Sequence, residues 1–114
     1  MKTIGILTLG VLWLIASNGT AQAADPFAVP TYECMGLYWN PAEAGAENEC
    51  AVHYRPKGEE YWRQGYPLSF NDQLDENTRG GKYRGSLVGL TSGTEYEIRL
   101  SLEHGAEQTL TAST

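Results

Sequence analysis

The sequence predicts an all-β chain built as a two-sheet β-sandwich of about seven short strands. Two observations carry that reading. Apolar and polar residues alternate with period two in several separate stretches, and no window past the first residues shows capped apolar spacing of 3.6. Gly, Pro, Asn and acidic clusters interrupt the alternation roughly every ten residues, the rhythm of a sandwich. With 114 residues, no internal repeat and no composition break, the chain holds one such domain.

The first residues stand apart. Lys2 is followed by the apolar run Ile4–Ala16, then by small and polar residues with Ala21-Gln22-Ala23 in the arrangement a signal peptidase cuts. A run this short does not cross a bilayer core of about 30 Å as a helix, so residues 1–23 are expected to be a signal peptide and residues 24–114 the domain. An uncleaved membrane anchor is the other reading. The expected location is secreted, extracellular or periplasmic, with no membrane span left after cleavage. From Ala24 on, acidic side chains outnumber basic ones, and the whole chain carries a net charge of −6. That charge disfavours nucleic acid and anionic membranes as partners.

Strands follow in order. A first strand is faint, with only Phe27–Tyr32 (FAVPTY) to offer. Cys34–Trp39 places Met35, Leu37 and Trp39 on one face. Cys50–Arg55 places Cys50, Val52 and Tyr54 inward and His53 and Arg55 outward. The segment from Glu59 to Lys82 is long enough to hold an extra edge strand or a mobile loop, and Pro67–Phe70 is a short candidate edge strand within it. Tyr83–Leu90 offers Tyr83, Gly85 and Leu87. Tyr96–Leu102 alternates Tyr96, Ile98, Leu100 and Leu102 against Glu97, Arg99 and Ser101, and Glu107–Thr114 closes the set.

Between the last two strong strands lies Leu90-Thr91-Ser92-Gly93-Thr94-Glu95-Tyr96. A tyrosine just after a glycine turn, at the head of an alternating strand, can bury its ring and return its hydroxyl to a backbone group upstream, which satisfies both polar groups. At this point the chain resembles a fibronectin type III domain. That family shows Leu-x-Pro-Gly-Thr-x-Tyr here, and Ser92 stands in the proline's place. Leu37-Tyr38-Trp39-Asn40-Pro41 resembles the family's second strand with its tryptophan, and Val52-x-Tyr54-Arg55 resembles its third, with Cys50 where an aromatic residue is usual. The resemblance spans Val29–Thr114. It implies an immunoglobulin-like Greek-key sandwich in which Trp39, Tyr54, Leu90, Gly93 and Tyr96 are structural.

The two cysteines give opposed indications. Export permits a Cys34–Cys50 disulfide. Register opposes it, because Cys50 is expected level with Trp39, and five strand residues separate Cys34 from that level by roughly 16 Å. A bridge needs Cα atoms about 5.5–6 Å apart. Gly36 could admit it only by folding the strand start over.

Few residues point to reaction chemistry. His53 and His104 are expected to be solvent-exposed, and neither has a metal-ligand neighbour. The oxygen-rich Asn71–Asn77 stretch lacks the spacing of a calcium loop. Acidic residues fall on loops and outward faces, and no phosphate loop, nucleophile pair or paired-carboxylate cleft stands out. No enzyme activity, metal or cofactor is expected. Arg79 and Arg84 precede glycines, but no Arg-Gly-Asp follows. The stretch Glu59–Leu68 is the best binding candidate, since Tyr61, Trp62 and Tyr66 can stack on sugar rings or anchor a protein; the alternative is that Trp62 and Tyr66 cover the edge of the core.

The expected function is that of an exported non-catalytic accessory module, a spacer, adaptor or binding domain. Because the family commonly sits beside catalytic domains of secreted and bacterial polysaccharide-active enzymes, the resemblance implies a neighbouring catalytic domain as partner and a chain that is the N-terminal part of a larger protein. A free-standing protein that binds a polysaccharide or a surface protein is the alternative.

Overall fold

A computed structural model describes residues 24–72 and 82–114. The described residues form eight strands and no helix: β1 (Ala24–Pro30), β2 (Met35–Asn40), β3 (Cys50–Pro56), β4 (Arg63–Gln64), β5 (Ser69–Phe70), β6 (Tyr83–Leu87), β7 (Glu95–Leu102) and β8 (Glu107–Ser113). They make two antiparallel four-stranded sheets, ordered β1-β2-β6-β5 and β4-β3-β7-β8, so the molecule is a β-sandwich. The expected signal peptide lies outside the described residues, as does most of the Asn71–Asn77 stretch. Among the described residues no helix is long and apolar enough to cross a membrane.

Alternation decides what the sheets enclose. Met35, Leu37 and Trp39 from β2 meet Cys50 and Val52 from β3, Leu87 from β6, and Ile98 and Leu100 from β7, all buried. Tyr54 is only half-buried and packs at the margin, its ring tilted against Tyr96 with centroids 6.2 Å apart. The predicted strands recur with shifted ends. β1 starts at Ala24 and stops at Pro30, before Tyr32, because Thr31 N–H donates to Cys34 O at 2.8 Å and closes the hairpin. β6 ends at Leu87, short of Leu90. Gly89 takes φ 68°, and Leu90 N–H leaves the ladder to donate to Glu33 O at 2.9 Å. The segment from Glu59 does hold an extra edge strand, β4, which brings the count to eight.

Two phenols close the ends. Tyr96 is buried, and its hydroxyl oxygen accepts the Thr91 N–H at 2.9 Å across a turn in which Gly93 has φ 64°. Thr114 Oγ1 adds to the same turn, donating to Thr91 O at 2.7 Å and accepting from Thr94 N–H at 3.1 Å. At the opposite end the buried Tyr83 hydroxyl accepts the Gly45 N–H at 3.2 Å and faces the carbonyls of Gly45 and Asn48, which pins the β2–β3 loop. Asn48 then ties that loop to the β7–β8 turn. Its side chain donates to His104 O and accepts from His104 N–H, both at 2.8 Å.

The Cys34–Cys50 pairing is not formed; both thiols are free. Cys34 precedes Met35, which pairs with Leu87 at one end of the sandwich. Cys50 pairs with Leu102 at the other, level with Trp39 and Tyr83. Burial removes the Cys50 sulfur from water and pushes its thiol up to about 12 from an ordinary 9.0.

Two outcomes follow. Tyr96→Phe leaves the Thr91 N–H without its acceptor and should cost about 1–2 kcal/mol in urea unfolding; Tyr32→Phe, at a residue that is 85% exposed, should cost nothing measurable. Between pH 9 and about 12 the native state holds the Cys50 proton while the unfolded chain loses it. That contribution is complete below the unfolded value and is lost as pH rises through the folded one. Stability should therefore fall more steeply over that range in the parent than in Cys50→Ala, as read by urea midpoints at each pH.

Candidate functional site

The segment between β3 and β5 changes sheets, and this crossing builds the candidate site. After the turn at Lys57–Gly58 the chain pairs with β3 through Arg63 and Gln64. Gly65 N–H donates to Val52 O at 2.9 Å and Leu68 N–H donates to Cys50 O at 3.0 Å. The chain then joins the other sheet, where Ser69 and Phe70 pair with Arg84 and Tyr83. The crossing is tight. A Cβ on Gly65 would stand 2.9 Å from a Leu87 methyl, and one on Gly85 would stand 2.6 Å from a Leu68 methyl. A side chain at either position would push that leucine methyl aside.

The three aromatic residues expected to bind differ in exposure: Trp62 is half-buried, whereas Tyr61 and Tyr66 stand in solvent. Trp62 lies against the outer face of the second sheet, with the Arg55 guanidinium carbon 4.2 Å and the Arg99 one 4.4 Å from its ring. Arg55 is itself fixed. Its Nε donates to Glu97 Oε1 at 2.8 Å and its Nη1 to Glu60 O at 3.1 Å. The half-buried indole is thus an anchor for the strap. It covers the outside of β3 and β7, and the expectation that Trp62 and Tyr66 cover the edge of the core fails for both. Tyr66 is 82% exposed and Tyr61 78% exposed.

Tyr66 stands at an open cleft of about 450 Å³ between the strap and the end of β6. The strap lines it with Gln64, Gly65, Tyr66 and Pro67, β6 and the residue after it with Ser86, Leu87 and Val88, and β3 with Tyr54. The cleft therefore joins an exposed phenol ring to an uncharged lining that includes Tyr54 and Leu87. Val88 and Ser86 were not legible as site residues. Alternation places both on the outward side of a continuing strand, and Val88 is 60% exposed just past the end of β6 at Leu87.

The histidines differ from expectation in one respect. His104 is exposed in the β7–β8 turn, 3.8 Å from Glu103. His53, expected in solvent, is half-buried on the outer face of β3, and its Nδ1 has no hydrogen-bond partner. It pairs in register with Gln64 and Arg99, so β4 and the flanking strand shield it.

The two aromatic roles predict different responses. Trp62→Ala removes the ring that covers both guanidinium groups and should lower stability by about 1–3 kcal/mol. Tyr66→Ala should leave the urea midpoint within about 0.5 kcal/mol of the parent.

Compared with known proteins, the chain matches no protein-family model and no curated protein.

Proposed function

We propose that the chain is a non-catalytic, fibronectin type III-like module of an exported protein, and that it binds a glycan in the cleft beside Tyr66. The family reading is supported by the strand order. Lettered A to G with an added C′, it is ABED over C′CFG, in keeping with an immunoglobulin-like sandwich. The Tyr96–Thr91 bond supplies the corner that such sandwiches carry.

The exposed Tyr66 ring over an uncharged cleft is the observation that carries the binding reading. A sugar ring offers apolar C–H faces to an aromatic ring and hydroxyls to neighbouring polar groups, and the cleft is lined by the two tyrosines Tyr54 and Tyr66 together with Gln64 and Ser86. A protein partner would need about 800 Å² on this side, more than so small a cleft presents.

A second reading, that of a spacer or adaptor, is favoured by where the strands begin and end. Ala24 pairs with Asn40 at one end of the sandwich, and Ser113 pairs with Glu95 at the other. A rigid body entered and left at opposite ends separates whatever is joined to it.

A polysaccharide array tests the first reading. The parent should retain at least one neutral glycan, and Tyr66→Ala should weaken that retention about tenfold or more, as loss of a stacking contact does. Absence of any bound glycan, or retention indifferent to Tyr66, overturns it and leaves the spacer reading.

A further inference from the structure

We propose that β8 is the edge through which two copies of this chain pair, antiparallel and about a two-fold axis beside Leu110. Among the described residues the sandwich has four edge strands. β4 and β5 are two residues each. β1 carries Pro26 and Pro30, and its register shifts between Ala24 and Phe27. All three are blunted in the ways that keep sheets from adding strands. β8 differs. It runs seven residues without a proline, lysine, arginine or bulge, in an unbroken ladder from Glu107 opposite Ser101 to Ser113 opposite Glu95. β1 passes near it but pairs only with β2.

The phase of the ladder tells which groups face outward. Leu102 N–H donates to Ala106 O, and Thr114 N–H donates to Thr94 O, each at 3.0 Å. In an antiparallel pair, bonding residues alternate with non-bonding ones. The even-numbered residues of β8 therefore bond β7. The N–H and C=O groups of Glu107, Thr109, Thr111 and Ser113 point to the open side.

Those four residues are self-complementary. A two-fold axis beside Leu110 sets Glu107 opposite Ser113 of the other copy and Thr109 opposite Thr111, and each of these pairs can exchange both backbone bonds. Threonines face threonines across the junction, a favourable cross-strand pair, and no like charges meet. The only ionic side chain of the strand, Glu107, is turned onto its own sheet, where it accepts from Ser101 Oγ at 3.3 Å. On the inner side the half-buried Leu110 meets its own copy. The product is a continuous eight-stranded sheet made from two sandwiches. The junction is a narrow one, so the dimer should be reversible.

Sedimentation of the purified full chain over a range of concentrations is the test. The parent should shift from monomer to dimer as concentration rises. Thr111→Pro removes only an outward N–H, so it should stay monomeric at every concentration with an unchanged circular-dichroism spectrum. Should that variant misfold, Thr109→Lys with Thr111→Lys sets lysine against lysine across the axis and should also be monomeric, whereas Thr109→Lys with Thr111→Glu sets opposite charges there and should dimerise again. A parent that stays monomeric, a dimer indifferent to Thr111→Pro, or two double variants that behave alike overturns the proposal.

Discussion

The passage from β6 to β7 carries the chain from one sheet to the other, and the phenol of Tyr96 holds it there. The ring is buried against Tyr54, so the hydroxyl cannot reach water and must find its partner inside. It accepts from Thr91, whose amide would otherwise be stranded in the turn. The turn depends on Gly93, where a positive φ reverses the chain at little steric cost. Leu90, drawn under the end of the sandwich by Glu33, fixes where the turn starts. Each of these features presupposes the others, and together they set the register of β7, which holds β3 on one side and β8 on the other.

Much of this frame was readable because one physical rule writes it twice. A residue that alternates inward is apolar, and a residue that must turn is Gly, Pro or polar. Met35, Leu37, Trp39, Ile98 and Leu100 were placed by the first rule, and Gly93 by the second. What the pattern could not supply is long-range polar pairing. Tyr83 reads as one more inward aromatic, and nothing local says that its hydroxyl holds a loop more than thirty residues earlier. Asn48 sits in a run of acidic and small residues with no mark of its bond to His104. Trp62 illustrates the same gap in the candidate site. Its neighbours in sequence suggest an aromatic cluster, whereas Arg55 and Arg99, on two different strands, decide where the ring goes.

The strap from Glu59 to Leu68 does two jobs at once. Its first half is fastened outside the second sheet by Trp62 under the Arg55 and Arg99 guanidinium groups, by Arg55 donating to Glu60 O, and by the pairing of β4 with β3. Its second half dips between the sheets, where Leu68 is buried over Gly85. Tyr66 lies between these two fastenings. Its backbone is held at both sides while its ring stays in solvent, which presents a side chain in a fixed place at little ordering cost on contact. Rigidity of the strap and exposure of the phenol therefore come from the same crossing.

The order in which strands alternate between layers has a further consequence. β2 waits for β6, and β3 waits for β7, so every central pairing spans a stretch that belongs to the opposite layer. Neither layer can be assembled first and the other laid upon it. Closing such loops is entropically expensive until both apolar faces meet, which slows folding and makes it depend on contacts distant in the chain. Loss of one layer exposes the whole face of the other, and the molecule should come apart as a single cooperative unit with no half-sandwich along the way.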